Sequence, residues 1–240
     1  MAKSFPHSLV LILFTILSTL SQSILAVKYV AINDAKQFPG GARFEREIGI
    51  PYTLQIMKKI NLFIYKMFQQ KIEGEKRTID TVHLYIQQFD GAEGITYGDH
   101  VNVSALYLQG YQGNLKWEFT SLLYHELTHV FQWISGPMGL VEGIADYTIL
   151  KANYYPPGFA KPGQGDRWDQ GYDITARFLE YCDSLKSGFV AALNRKMKDG
   201  YSDDYFVELL GKPVNQLWSE YKARYNHNAV LPFAFRQRFR

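Results

Sequence analysis

The chain has 240 residues, 47% of them hydrophobic, which excludes a disordered or low-complexity protein. Its 26 lysines and arginines nearly balance 23 aspartates and glutamates, and the basic residues do not interleave with aromatic ones, which argues against a nucleic-acid partner. A single cysteine, Cys182, excludes an internal disulfide, so the hydrophobic core and any bound metal must stabilise the fold.

Residues Met1 to Ala26 are predicted to be a signal peptide. Lys3 supplies a positive charge near the start, and Leu9 to Leu20 form an apolar run shorter than the roughly 20 residues that cross a bilayer. We therefore expect secretion to the apoplast or the cell wall, with no membrane association once this segment is removed. A retained signal anchor is the alternative. Residues 27–240 are expected to form one domain and a monomer.

The mature chain begins with an extended segment and continues with a helical one. Val27 to Asn33 is patterned like a strand, and Gly40-Gly41 is expected to form the turn that follows. Apolar residues from Phe44 to about Ile72 keep helical spacing. Pro51, inside this segment, predicts a helix start or a kink.

Two further strands are predicted, from Thr81 to Phe89 and from Asp99 to Gly110, with turns between them at Gly91, Gly94 and Gly98. His83 and His100 fall in these strands without a ligand partner at short spacing. We therefore expect them to be strand or turn residues and not metal ligands. The only glycosylation sequon, Asn102-Val103-Ser104, predicts a possible N-glycan at Asn102.

Helices are predicted to dominate the second half. Trp117 to Ile134 has helical spacing, and Ser135-Gly136-Pro137 is expected to end that helix. Leu140 to Ala152 is a second helix, which the short turn allows to run back beside the first. Cys182 falls in a helical apolar pattern and is expected to be a buried, unreactive thiol. The predicted fold class is α+β, an N-terminal mixed sheet with helices followed by a mainly helical C-terminal half.

The first of these two helices carries the segment His125-Glu126-Leu127-Thr128-His129. Residues four apart lie on one helix face, so both imidazoles can bind one ion, and tetrahedral zinc suits such ligands. Glu126 projects beside them, where it can take a proton from a water molecule that the metal activates. We therefore predict a Zn²⁺ site with Glu126 as general base. The alternative is a polar helix face without a metal.

Two carboxylates on the second helix are candidates for the third zinc ligand. Glu142 follows His129 by thirteen positions, and Asp146 lies one helical turn beyond Glu142. Glu142 is preferred because its surroundings resemble the Glu-Gly-x-Ala segment that supplies the third ligand in other glutamate-type zinc peptidases. Asp146 would then accept the second N–H of a histidine ligand. The reverse assignment stays open.

Peptide hydrolysis also needs a donor to the oxygen on which negative charge develops. Tyr172, near the start of a third helix, is the main candidate, and Arg167 is a weaker one. The alternative is structural: Asp169 or Asp173 caps the helix, and Trp168 and Tyr172 pack in the core.

Three segments, 125–133, 140–147 and 162–173, together resemble the plant basic secretory protein family, whose defence members form pathogenesis-related class 17. The family pattern His-Glu-x-x-His-x-x-Gln falls on His125, Glu126, His129 and Gln132. Phe131 stands where many relatives are expected to have tryptophan, and the net charge is slight for a family named for basicity. Neither departure touches the predicted ligands.

This resemblance implies a zincin-like, extracellular, zinc-dependent peptidase that acts on peptides or proteins and is linked to defence against pathogens. An edge strand near Asp99 to Gly110 is expected to align the peptide by strand addition. The rival hypothesis is a secreted binding or defence protein, in which a fourth ligand such as Asp146 closes a structural zinc site.

Overall fold

A computed structural model describes residues 27–225; the predicted signal peptide and the basic tail Arg236 to Arg240 lie outside the described residues. In chain order, the strands and helices are β1 (Lys28–Asn33), α1 (Pro39–Glu47), α2 (Ile50–Met67), β2 (Thr81–Gln87), β3 (Gly94–Tyr97), β4 (His100–Ser104), α3 (Ala105–Gly110), α4 (Leu115–Phe131), α5 (Met138–Ala152), α6 (Tyr172–Leu185), α7 (Phe189–Lys196), α8 (Asp204–Leu210) and α9 (Val214–Tyr225). Since the strands lie in the first half and helices make up the second, the predicted α+β class is confirmed.

The strands form one mixed sheet in the order β1-β2-β4-β3. The β1–β2 and β2–β4 pairs are parallel, whereas β3 runs antiparallel to β4 and forms an edge of the sheet. Side chains alternate between the two faces of a strand. On the two central strands, β2 and β4, one face is fully buried and belongs to the core, through Val82, Leu84, Ile86, Val101 and Val103. The opposite face, which we call the outer face, is only partly covered and carries His83, Tyr85, Gln87, His100 and Asn102.

Helix α4, which carries the paired histidines, is enclosed on nearly every side. It packs against α2, α5, β3 and β4, and its apolar side chains are buried, among them Phe119, Leu123, Leu127 and Val130. Asn114 caps its N-terminus by accepting a hydrogen bond from the backbone N–H of Trp117. Tight packing restricts rotamers, so this helix is a rigid support for a site.

The prediction of a turn at Gly40-Gly41 is wrong, because both glycines lie within α1. A Cβ atom on Gly40 would lie 1.7 Å from the carbonyl oxygen of Ala105. The absence of side chains therefore allows α1 to pack directly on backbone at the start of α3.

The segment from Phe44 to about Ile72, predicted to be helical with a start or a kink at Pro51, contains the end of one helix and the whole of another. The first ends at Glu47, Gly49 adopts a φ of 75°, and the second begins at Ile50. Pro51 lies in the first turn of α2, where its missing N–H leaves no intrahelical bond unmade. The prediction of a helix start at Pro51 is therefore confirmed.

The strand predicted from Asp99 to Gly110 is wrong in its second half. Strand β4 ends at Ser104, whose Oγ accepts a hydrogen bond from the backbone N–H of Tyr107 and caps α3. Gly94, predicted to lie in a turn, begins the unpredicted strand β3. The sheet edge that was expected near Asp99 to Gly110 is therefore β3, and β4 lies inside the sheet.

The bounds of the other predicted strands and helices agree with the structure to within a few residues. Helix α4 ends at Phe131 rather than Ile134, and α5 starts at Met138. Cys182 is fully buried in α6, and burial raises the pKa of its thiol well above the usual range, which disfavours the reactive thiolate. Within residues 27–225, none of the helices combines the length and the apolarity needed to cross a bilayer.

Candidate metal centre

The predicted ligands lie where α4 packs against α5. His125 and His129 are one turn apart on α4, and Glu142 lies in the first half of α5, after the short connection 132–137. A Cβ atom on Gly143 would lie 2.2 Å from Cγ2 of Thr175 in α6. Glycine beside Glu142 therefore lets α6 pack closely behind this part of α5.

Three potential ligand atoms converge at this point. Nε2 of His125 lies 3.0 Å from Nε2 of His129 and 3.1 Å from Oε2 of Glu142, and Nε2 of His129 lies 3.4 Å from the same oxygen. We call these three residues the helix cluster. Ligands bound at 2.0–2.1 Å to a tetrahedral ion are separated by about 3.3–3.4 Å. The helix cluster therefore matches one face of a metal coordination tetrahedron with little movement.

Asp146 lies on the other side of His125. Its Oδ1 is 2.7 Å from Nδ1 of His125, so the carboxylate can accept the Nδ1–H and leave Nε2 free to bind a metal. Asp146 is also buried. Of the two candidate carboxylates on α5, Glu142 thus faces the convergence point, whereas Asp146 is placed to orient a histidine.

Contacts within the helix cluster and with Asp146 shift the pKa values of His125 and Glu142. Burial lowers the pKa of His125, but hydrogen bonds to Asp146 and Glu142 and the charges of carboxylates outweigh it and raise the pKa to about 10. Burial raises the pKa of Glu142, but its hydrogen bonds to His125 and His129 prevail and lower it to about 2. The protonated imidazole therefore balances buried carboxylates, and a metal ion can replace that proton.

Gln132 provides a further test of whether these residues fit a metal. Its Nε2 lies 2.8 Å from Nδ1 of His129 and donates to the carbonyl oxygen of Val141, while its Oε1 is buried without a partner among the described residues. If His129 binds an ion through Nε2, its Nδ1–H needs an acceptor. A half-turn of the amide, which has nearly the same shape either way, supplies one at the expense of the bond to Val141. In that orientation the amide oxygen accepts the Nδ1–H of a metal-bound His129, and the amide nitrogen takes the position without a partner.

Strand β3 fixes the carboxylate of Glu126, which is only 4% exposed. Oε2 of Glu126 lies 2.6 Å from Oγ1 of Thr96, and a Cβ atom on Gly94 would lie 2.6 Å from Oε1 of Glu126. A hydrogen bond and close backbone packing therefore hold the side chain. Sequence reasoning missed Thr96 and Gly94, because their roles depend on the position of a strand that was not predicted.

A cleft of about 1240 Å³ opens in front of the helix cluster and Glu126, between β3 and the helices. Glu93, just before β3, lines it, and burial together with the charge of Glu118 raises the pKa of Glu93. Arg77 lines it as well, and its Nη1 donates to carbonyl oxygens at the end of α4, 2.9–3.0 Å away. No sequence motif marked Glu93 or Arg77.

Tyr172 reaches the same cleft from the start of α6. Its ring stacks on that of His125 with 6.0 Å between centroids, and the residue is 57% exposed, so the alternative in which Tyr172 packs in the core is wrong. The charge of Glu142, followed by burial, raises the pKa of its phenol, which therefore stays protonated as a donor. Its φ of 45° lies in the left-handed region, a strain that often accompanies functional positions.

The other candidates from this loop lie elsewhere. The Arg167 side chain is 70% exposed, pairs with Asp169 and does not line the cleft. Trp168 is buried, as the structural alternative expected. The N-cap residue of α6 is Gly171, whose backbone N–H donates to Oγ1 of Thr175, and Asp173 accepts a hydrogen bond from the backbone N–H of Ala160. The predicted caps by Asp169 or Asp173 are therefore wrong.

Comparison with known proteins identifies the family of this chain. A family model described as a peptidase of plants and bacteria matches residues 24–221. Over 61 residues the chain is 51% identical to a basic secretory protease from Boswellia serrata, an alignment that covers 25% of this chain and 70% of that relative. No solved structure gives a significant match. These matches confirm the resemblance to basic secretory proteins. Because the family model spans most of the chain, the protein belongs to the BSP family, the peptidases of plants and bacteria.

Proposed function

We propose that this protein is a secreted zinc-dependent peptidase of zincin-like architecture with Glu126 as its general base. The observation that carries the proposal is a set of three metal-binding atoms at tetrahedral spacing, with the buried carboxylate of Glu126 beside the same cleft. Membership of a peptidase family supports the reaction class.

Zinc is the ion that this ligand set favours. Two imidazole nitrogens and one carboxylate oxygen, with a fourth position left open, are the ligands of many catalytic zinc sites. We assign His125, His129 and Glu142 as ligands, with Asp146 as the residue that orients His125. When bound, zinc supplies Lewis acidity that activates water and polarises a carbonyl group.

Glu126 carries the proton in this proposal. Its carboxylate accepts a proton from the attacking water and returns it to the leaving amine. The contact of 2.6 Å between Oε2 and Oγ1 of Thr96 keeps the carboxylate oriented toward the cleft. Because the group is almost fully buried, it does not have to exchange an ordered water shell at each step.

Strand β3 and Tyr172 position the substrate from two sides of the cleft. Within the described sheet, β3 pairs on one side only, so its free edge can pair with an extended peptide by strand addition. Tyr172 can donate its phenolic proton to the oxygen on which negative charge develops. Its raised pKa keeps that proton in place at neutral and mildly alkaline pH.

Secretion and a role in plant defence belong to the same proposal. The pattern of residues Met1 to Ala26 supports secretion, as does the name of the Boswellia relative, a secretory protease. The defence role rests on the resemblance of the three motif segments to the pathogenesis-related proteins. Infection of plant tissue that lacks the protein is the direct test of that role.

A structural zinc site without catalysis is the alternative. It needs a fourth protein ligand, and Asp146 was the candidate. Oδ1 of Asp146 is occupied by Nδ1 of His125, on the far side of the imidazole from Nε2. This contact favours the catalytic assignment over the structural one.

The substitution Glu126→Gln in the purified mature protein tests the mechanism. Glutamine keeps the shape of the side chain but accepts a proton poorly, so we expect unchanged zinc content and a fall in kcat of at least about 100-fold. Glu118→Gln, a substitution on the same helix and in the same cleft, is the control and should retain most of the wild-type kcat. Unchanged turnover of Glu126→Gln removes Glu126 from the mechanism, and a wild-type protein that takes up no zinc ends the proposal.

A further inference from the structure

A second group of metal-ligand residues lies on the outer face of the sheet. His83 on β2 and His100 at the start of β4 are directly opposed in the parallel register, and their rings stack with centroids 4.8 Å apart. Oδ1 of Asp99 lies 2.6 Å from Nδ1 of His100. One potential ligand atom from each of the three residues lies within 4.8 Å of the other two. We call these three residues the sheet cluster.

One nitrogen of the sheet cluster has no partner. Nδ1 of His83 is shielded from solvent and makes no hydrogen bond to any part of the chain that the structure describes. Shielded polar atoms are normally satisfied, so such an atom points to a missing ligand. An imidazole nitrogen beside a second imidazole and a carboxylate suits zinc, cobalt, nickel or copper.

The sheet cluster is separate from the helix cluster, since none of its residues lines the cleft. The ring of Tyr85 stacks with both imidazoles, at centroid distances of 6.3 and 6.0 Å. The carboxylate of Asp99 interacts electrostatically with His83 and His100, and also with Arg77. Nη1 of Arg77 also donates to carbonyl oxygens at the end of α4, which offset part of its charge. The surroundings therefore leave the carboxylate of Asp99 able to bind a cation.

We propose that His83, Asp99 and His100 bind a second divalent transition-metal ion, which cross-links β2 to β4. The ion satisfies the unpartnered nitrogen of His83. The side chains of Asp99 and His100 are 40% and 48% exposed, so they can rotate to bring the ligand atoms to the separation of about 3.3 Å that a tetrahedral ion needs. Because β4 pairs with β3, the cross-link also steadies the strand that forms one wall of the cleft.

Titration with Zn²⁺ of mature protein that already holds its first equivalent tests this proposal. We expect one further equivalent, which disappears in the double variant His83→Ala/His100→Ala. Asp99→Asn should bind it about tenfold more weakly. Gln87→Ala, on the same face of β2, is the matched control and should bind as the wild type does. Retention of the first equivalent shows that each variant is folded.

A second measurement needs no variant. Co²⁺ binds such ligands more weakly than Zn²⁺, so it should not displace zinc from the helix cluster. Added to protein that holds one equivalent of zinc, paramagnetic Co²⁺ should occupy the sheet cluster and broaden the side-chain NMR signals of His83 and His100. Absence of a further equivalent up to about 1 mM zinc, or its persistence in the double variant, overturns the proposal. Neither readout uses peptidase activity. The equivalent assigned to the sheet cluster is the one that His83→Ala/His100→Ala removes, whether or not the helix cluster binds zinc, so this proposal and the proposed function can fail separately.

Discussion

The helix cluster and the sheet cluster both combine two imidazoles with a carboxylate, but the protein supports them differently. In the helix cluster, potential ligand atoms lie 3.0–3.4 Å apart and the side chains are 12–18% exposed. In the sheet cluster the atoms lie within 4.8 Å, and Asp99 and His100 are 40% and 48% exposed. The same residue types therefore form one site that is preorganised and one that must rearrange.

The difference comes from the residues behind the ligands. Asp146 and Gln132 contact the outer nitrogens of His125 and His129, and α4 is buried around them. The sheet cluster is supported by the contact between Asp99 and His100, the ring stacking and a backbone hydrogen bond from His83 to Asp99, while Nδ1 of His83 has no partner among the described residues. Less reorganisation means a larger share of the interaction free energy is retained as affinity. We therefore expect the helix cluster to bind zinc much more tightly.

Four experiments test how the two clusters and their surroundings differ, and the largest effect is expected from Gly94→Ala. The new Cβ atom would lie 2.6 Å from Oε1 of Glu126, so the carboxylate must move while every zinc ligand stays in place. We expect kcat to fall by about 100-fold, since displacements near 1 Å have effects of this size. Zinc content, measured together with kcat, distinguishes displacement of the Glu126 carboxylate from loss of the metal ion.

Gly110→Ala is the matched control for that variant. A Cβ atom on Gly110 meets nothing within 4 Å, so its kcat should remain at the wild-type level. If Gly94→Ala keeps full activity, close packing by β3 does not position Glu126. If Gly94→Ala loses zinc, the packing of β3 also holds the zinc ligands of the helix cluster in place.

The second experiment removes a supporting residue from the helix cluster. Asp146→Asn keeps the shape of the side chain but weakens acceptance of the Nδ1–H of His125, so zinc affinity should fall by about 10–100-fold. Competition with a chromogenic chelator measures this change. Complete loss of zinc from a folded variant would instead indicate that Asp146 is itself a ligand.

The third experiment uses pH. The pKa of His125 is raised to about 10 from an ordinary value of 6.5, so below about pH 10 the metal-free helix cluster holds a proton that zinc must displace. Zinc affinity should therefore fall by about tenfold for each unit of pH decrease between pH 9 and pH 7. Calorimetry in buffers of different ionisation enthalpy counts the released proton, and release of none contradicts the assignment.

The same shift has a consequence for the metal-free protein. Because the folded pKa of His125 exceeds the unfolded value, its contribution to stability is fully present below about pH 6.5 and is lost as pH rises through about 10. The metal-free protein should therefore unfold at lower urea concentration at pH 10 than at pH 6. In the zinc-loaded protein, His125 should not contribute to such a fall in the urea midpoint between pH 6 and pH 10.

The smallest effect is expected at Arg77, which lies between the two clusters. Arg77→Gln removes charged hydrogen bonds to carbonyl oxygens at the end of α4, so the free energy of unfolding should fall by about 1.5–3 kcal/mol. Thermal unfolding measures it as a lower Tm. Arg167→Gln, an exposed ion-pair residue, is the control, with a change expected within about 0.5 kcal/mol. An equal change in the free energy of unfolding for the two variants would show that the hydrogen bonds of Arg77 do not stabilise the fold.

Sequence reasoning succeeded where the relevant contacts are local. The spacing of His125 and His129 placed both on one helix face, and the short connection to α5 brought Glu142 beside them. It failed at β3, a four-residue strand that begins with glycine, and at residues 105–110, whose apolar run forms a helix instead of a strand. Short elements carry too little periodicity to identify their type, and packing decides it.

The α+β class, the histidine helix and the family resemblance could be read from the sequence alone, because helical periodicity and motif spacing are properties of neighbouring residues. The three-dimensional structure was needed to show that Glu142 faces the histidine pair while Asp146 contacts the opposite side of His125, that Thr96 contacts Glu126, and that His83 lies opposite His100. These contacts join residues from different strands and helices, whose pairing depends on how the whole chain buries its apolar side chains.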